Sequence, residues 1–76
     1  MKRGEWDRAR RLLEQGLSID GAAEGCYYGL MVCLDGMGRR AEALSVYDRC
    51  RRTLNALLGE GPSEETRSLA RQLRAG

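Results

Sequence analysis

"GRRAEALSVYDRC", residues 38–50, and "GEWDRARRLLEQG", residues 4–16, are one pattern written twice. Gly4 stands over Gly38, Ala9 over Ala43, Leu12 over Val46, Leu13 over Tyr47, Glu14 over Asp48 and the small Gly16 over Cys50, each offset by 34 residues. Apolar positions recur every three or four residues in both copies, the period of an amphipathic helix. The alanine marks a place where two helices approach closely, and the large residue four later fills the gap between helix pairs. A repeat of this length is one helix pair, which buries its apolar face only by stacking on a neighbour.

The remaining segments follow from that register. The spacing predicts a first helix over residues 5–17, with Trp6, Ala9, Leu13 and Leu17 on a stripe that Leu12 widens and Asp7 paired with Arg11. A second helix, 22–35, carries Ala23, Tyr27, Leu30, Met31 and Leu34 on one face and Cys26, Val32 and Cys33 on the other, so it is expected to be buried on two sides. The glycines of "DGMG", 35–38, permit a tight reversal into a third helix, 39–58, with Ala43, Tyr47, Cys50, Leu54 and Leu57 inward. "LLGEGPSEETRSL", 57–69, then breaks the register: Gly59 ends the long helix, Pro62 forbids its continuation, and Ser63 caps a fourth helix over 64–74. Glu64 and Glu65 lie in its first turn, where the helix dipole favours acids. Thr66 occupies the third helical position, which makes a simple cap and not a reciprocal box. Leu69 and Leu73 are expected to pack on the third helix.

A 34-residue period is that of the tetratricopeptide repeat. Tyr27 and Leu30 stand where that pattern wants an aromatic and a leucine, and Ala43 and Tyr47 agree with it; Met31 replaces its glycine and Asn55 its proline. The expected fold class is all-α, with tetratricopeptide-like antiparallel helix pairs, about four helices, and residues 1–76 as a single domain. The first helix is the second member of one repeat, the next two form a full repeat, and the last is a cap.

Composition narrows the chemistry. Hydrophobic residues at 42% and charged residues at 32% exclude a disordered chain, while 76 residues bury a small core. The net charge of +2 comes from 13 basic and 11 acidic residues interleaved along the chain, which leaves no basic field for a phosphate backbone. No apolar run has the length of a membrane span, and "MKRGEWDRARR" lacks the apolar centre of a secretory signal, so a cytoplasmic protein with no membrane partner is expected. Three cysteines, Cys26, Cys33 and Cys50, read as reduced thiols packed as small hydrophobes. Cys26 and Cys33 lie seven apart, which misses the close pairs of zinc sites. The chain has no histidine and therefore no Ser-His or Cys-His nucleophile. No enzyme activity, cofactor, metal or small-molecule ligand is expected.

"GRRAEALSVYDRCRRTLNALLGEGPSEETRSLARQL", residues 38–73, resembles the bacterial transcriptional activator domain, a tetratricopeptide-like module of antibiotic-regulatory-type activators and large multidomain regulators. The most specific part is "LGEGPSEETRSL", similar to the family's closing pattern of Leu-Gly, two variable residues, Pro-Ser, an acid and Thr-Arg, with Leu soon after. An alanine-rich helix with an aromatic (Ala43, Leu44, Tyr47) and a basic run (Arg49, Arg51, Arg52) precedes it, as in the family. Agreement over residues 4–37 is weaker, and Gly61 stands where the family more often has a polar residue. The family's module typically follows a winged-helix DNA-binding domain, which this sequence lacks. The resemblance therefore implies an interaction module and not direct DNA binding. Its partners would be other domains of the parent regulator, the transcription machinery or a second copy. The repeat phase makes Met1 read as a start within a longer regulator. A tetratricopeptide scaffold binding a peptide or protein outside transcription is the other reading.

Two surfaces are candidates for contact. In the repeat pattern the first helix packs on a preceding helix, so Trp6, Leu13 and Leu17 are expected to be partly uncovered and to drive self-association as a homodimer. Arg49 and Arg52, with Arg8, Arg11, Arg39 and Arg40, form either a solvated face or a contact for an acidic partner, since Glu5, Asp7, Glu42 and Asp48 are interleaved with them.

Overall fold

A computed structural model describes residues 2–76, which form four helices: α1, Arg3–Ile19; α2, Glu24–Gly36; α3, Arg40–Leu58; and α4, Glu64–Ala75. Met1, read above as an internal start, lies outside the described residues. Helix α1 begins earlier than its apolar stripe because the Lys2 amide donates to the Glu5 carboxylate at 3.2 Å, closing the first turn. Helix α2 begins later than its stripe because Asp20 Oδ1 accepts the Ala22 amide at 3.0 Å and holds the connection in a turn. Gly59 takes the left-handed conformation (φ 70°) at the end of α3, the state in which a Cβ is costly.

Helices α1, α2 and α3 run up, down and up, and α4 returns along α3 with its first turn beside that of α2. Two apolar clusters hold them. Leu17 of α1, Tyr27 and Leu30 of α2, and Cys50 and Leu54 of α3 form one. Met31 and Leu34 of α2, Ala43 and Tyr47 of α3, and Ala70 and Leu73 of α4 form the other, with Leu69 packed against it. The predicted seating of Leu69 and Leu73 on α3 is thus observed, and α2 feeds both clusters, which is why its apolar residues encircle it. Val32 is the most open of those residues, at 38% exposure, and Cys26 is half-buried.

Three readings need correction. Leu57 is not inward but 62% exposed, because α3 has 19 residues against the 13 of α2 and its last turn projects beyond its neighbours. Asp7 pairs with Arg10 at 3.4 Å and not with Arg11. The third concerns the stripe of α1. Leu17 is buried and Leu13 packs on the same cluster, so the stripe faces α2 and not a preceding helix, while Trp6 and Leu13 stay half-exposed, partly uncovered as expected.

That face is close-packed through small residues. A Cβ at Gly16 would fall 2.8 Å from Cys26 Sγ, and one at Gly36 would overlap the six-membered ring of Trp6. Gly16 thus serves the α1–α2 contact as Cys50, fully buried, serves its counterpart. Gly36→Ala is expected to push Trp6 off α2 and shift the emission of this single tryptophan to the red. The overpacking cost of about 1–3 kcal/mol is offset by about 1 kcal/mol of helix propensity and by the freedom of a half-exposed ring to swing out. Unchanged emission would show that Trp6 is not seated there.

Candidate functional site

The polar contacts that organise the surface begin with Glu24, at the start of α2. Its Oε2 accepts the Ser63 amide at 3.0 Å, the Ser63 hydroxyl, and the Thr66 hydroxyl at 2.6 Å. Ser63 is also the N-cap of α4, its hydroxyl accepting the Thr66 amide at 3.4 Å. Thr66 is 1% exposed, so its hydroxyl is satisfied within the protein. Burial pushes the Glu24 carboxyl up, but the hydrogen bonds from the Ser63 hydroxyl, the Thr66 hydroxyl and the Ser63 amide outweigh it and hold the group below the usual carboxylate range. Around this knot lies a groove of about 200 Å³, closed by Gly25, Tyr28 and Glu65.

A second set of contacts ties α1 to α3. Arg49 pairs with Glu14 at 3.1 Å, and its guanidinium stands 5.6 Å from the centre of the Tyr27 ring. Both members of the pair are 45% exposed, so solvent screens it. Arg49→Met is expected to cost about 0.5–1.5 kcal/mol, because the ion pair and the cation–π contact leave together. Glu14→Gln should cost less than about 0.5 kcal/mol in the same urea titration. Equal losses would mean that Tyr27 contributes nothing.

The candidate contact residues do not share one surface. Trp6 is half-buried on Gly36, Leu13 is half-buried, and Leu17 is buried. Arg49 is engaged within the fold, and Arg52 is exposed with no ion-pair partner among the described residues. Several other arginines are held by carboxylates: Arg39 by Glu42, Arg40 by Asp35, Arg51 by Asp48, and both Arg67 and Arg71 by Glu64. Glu24 and Thr66 were not among the expected site residues. Thr66 had a signal, since it precedes Leu69, Ala70 and Leu73 by three, four and seven residues on the buried stripe; Glu24 had none beyond its place in a first turn.

Two of the three thiols are packed away from chemistry, and Cys26 is half-buried against Gly16. Cys33 and Cys50 are buried, and burial raises both; for Cys50, burial and then the Glu24 carboxylate push the thiol up to about 11. Among the described residues no group of His, Cys, Asp or Glu side chains is arranged to hold a metal ion, and no helix is long and apolar enough to cross a membrane.

The sequence matches the family described as the bacterial transcriptional activator domain over residues 1–74, and the chain belongs to that family. It is thus a helical module of the transcriptional-regulator class. No curated protein and no solved structure matches the chain.

Proposed function

We propose that, as a bacterial transcriptional activator domain, this chain serves a transcriptional regulator as a non-catalytic protein-interaction module acting in the cytoplasm. Family membership across residues 1–74 is the observation that carries the reading. The surface supports it. The grooves between the helices are open clefts of about 140–330 Å³, and in the one where hydroxyls meet a carboxylate, Ser63 and Thr66 on Glu24, those bonds cap α4 and tie it to α2. Among the described residues, seven arginines are folded onto carboxylates and the unpaired ones are spread over α1, α3 and α4, which favours protein partners over a phosphate backbone. Its partners are other domains of the parent regulator, the transcription machinery or a second copy.

Fused to a heterologous DNA-binding domain beside a reporter promoter, the chain is expected to change transcription several-fold. A core variant such as Tyr27→Ala should abolish the effect. An unchanged reporter with a folded fusion, or tight binding of duplex DNA by the isolated chain, would overturn the reading.

A further inference from the structure

One end of the molecule differs from the rest in both charge and polarity. There the C-termini of α1 and α3 meet the N-termini of α2 and α4, brought together by the cluster of Leu17 with Leu54 and by the Glu24 bonds to Ser63 and Thr66. Residues 17–28 and 53–66, which build this end, contain Asp20, Glu24, Glu60, Glu64 and Glu65 and no lysine or arginine. The end therefore carries −5, and the remainder +7, of a chain whose formal net charge is +2. Arg67 and Arg71 fold back on Glu64; Asp20, Glu60 and Glu65 have no ion-pair partner among the described residues. The same end holds three of the most exposed large apolar side chains: Ile19 at 89%, Leu57 at 62% and Leu58 at 59%.

The complementary surface is on α1. Turned away from α2, its outward side bears Arg8, Arg11, Leu12 and Gln15 at spacings of three, four and seven, with no carboxylate between them. Leu12 is 60% exposed, and neither arginine has an ion-pair partner among the described residues. One surface is apolar and acidic, the other apolar and basic.

We propose that these two surfaces bind each other between copies: the Leu57–Leu58 end of one chain receives the Arg8–Leu12 face of α1 of a second copy. The inference rests on the interaction-module reading and names the partner and the surfaces. Opposite charges steer the encounter and fix its register, and the leucines supply apolar burial at its centre. The contact joins two different patches, so it is heterologous and leaves a free end on each pair; association continues with concentration and does not stop at a symmetric dimer. So small a patch gives a transient complex, with a Kd of roughly 100 µM. This places self-association on surfaces more exposed than the Trp6, Leu13, Leu17 stripe, of which Leu17 is buried and Trp6 and Leu13 are half-buried.

Sedimentation equilibrium on the chain from roughly 10 µM to 1 mM tests it. The mass is expected to rise continuously above 8.5 kDa with concentration and to fall back when added salt shortens the screening length. R8E/R11E alone and E60R/E65R alone should each remain monomeric, and an equimolar mixture of the two should associate again. Restoration in the mixture requires both variants to be folded. A wild-type mass fixed at 8.5 kDa, or a rise that neither charge reversal alters, overturns the proposal. Either result leaves the reporter assay to decide separately whether the chain acts through another partner.

Discussion

Tyr27→Ala is expected to leave the chain largely unfolded at 25 °C. Tyr27 is 2% exposed and sits where α1, α2 and α3 meet, packed with Leu17, Leu30, Cys50 and Leu54. Its hydroxyl donates to the Gly21 carbonyl at 2.9 Å, holding the turn between α1 and α2, and its ring lies under the Arg49 guanidinium. Removing a buried aromatic side chain costs about 3–5 kcal/mol through lost transfer energy and the cavity left behind. Domains are stable by about 0.05–0.15 kcal/mol per residue, and a chain this short lies toward the low end of the total that gives. The loss is thus comparable to the whole stability. Any folded remainder should melt roughly 12–40 °C lower, since each kcal/mol shifts Tm by about 4–8 °C at this size. Tyr27→Phe keeps the ring and gives up only the hydrogen bond, at about 1 kcal/mol. Far-UV circular dichroism during heating checks both, and a Tyr27→Ala melt within a few degrees of wild type would refute the placement of Tyr27 at the centre of the fold.

Tyr27 was legible in the sequence because it obeys a period. The same holds for Ala43, Tyr47, Cys50 and Leu54, whose burial follows from recurrence every three or four residues, and for Gly59 and Ser63, whose roles follow from local backbone chemistry. What periodicity cannot supply is direction. Trp6, Ala9, Leu13 and Leu17 define the apolar side of α1 without saying which neighbour it meets, and the stripe expected to meet a preceding helix rests on α2. Periodicity is also blind to relative length: Leu57 continues the stripe of α3 but is exposed, because the last turn of α3 runs past the first turns of α2 and α4. Charges are harder still. Arg49 and Glu14 lie 35 residues apart, and only the packing of α1 beside α3 makes them partners. Glu24 and Thr66, 42 apart, are the extreme case, since each has a sufficient local explanation that conceals the bond between them.

Glu24→Ala is expected to loosen α4 while α1, α2 and α3 remain folded. Three donors converge on its carboxylate, and one of them, the Thr66 hydroxyl, is buried, with the Ser63 hydroxyl at 3.4 Å as its only other neighbour in bonding range. Leaving a buried donor unmatched costs about 1–3 kcal/mol. The loss falls on α4 because Leu17, Tyr27, Leu30, Cys50 and Leu54 do not depend on that helix, whereas Ala70 and Leu73 are its main apolar hold. Amide exchange in α4 should accelerate about 5–150-fold, with little change at the centres of α2 and α3. Adding Thr66→Val should recover part of the loss, since it deletes the stranded hydroxyl at nearly constant shape; simple additivity would mean that the two residues are not coupled. The pH dependence has a definite sign. Because the folded pKa of Glu24 lies below its unfolded value, the group's contribution is complete above the ordinary carboxylate range and is lost as pH falls through that range to the depressed value. Acid should therefore lower the protection of α4 before that of the other helices. Glu64, held low first by its hydrogen bond to Arg71, titrates in the same direction on α4 but is solvent-exposed, so subtracting the profile of Glu24→Gln isolates the buried knot. If α4 keeps the same protection in Glu24→Ala as in the wild type, the helix is held by Ala70 and Leu73 alone.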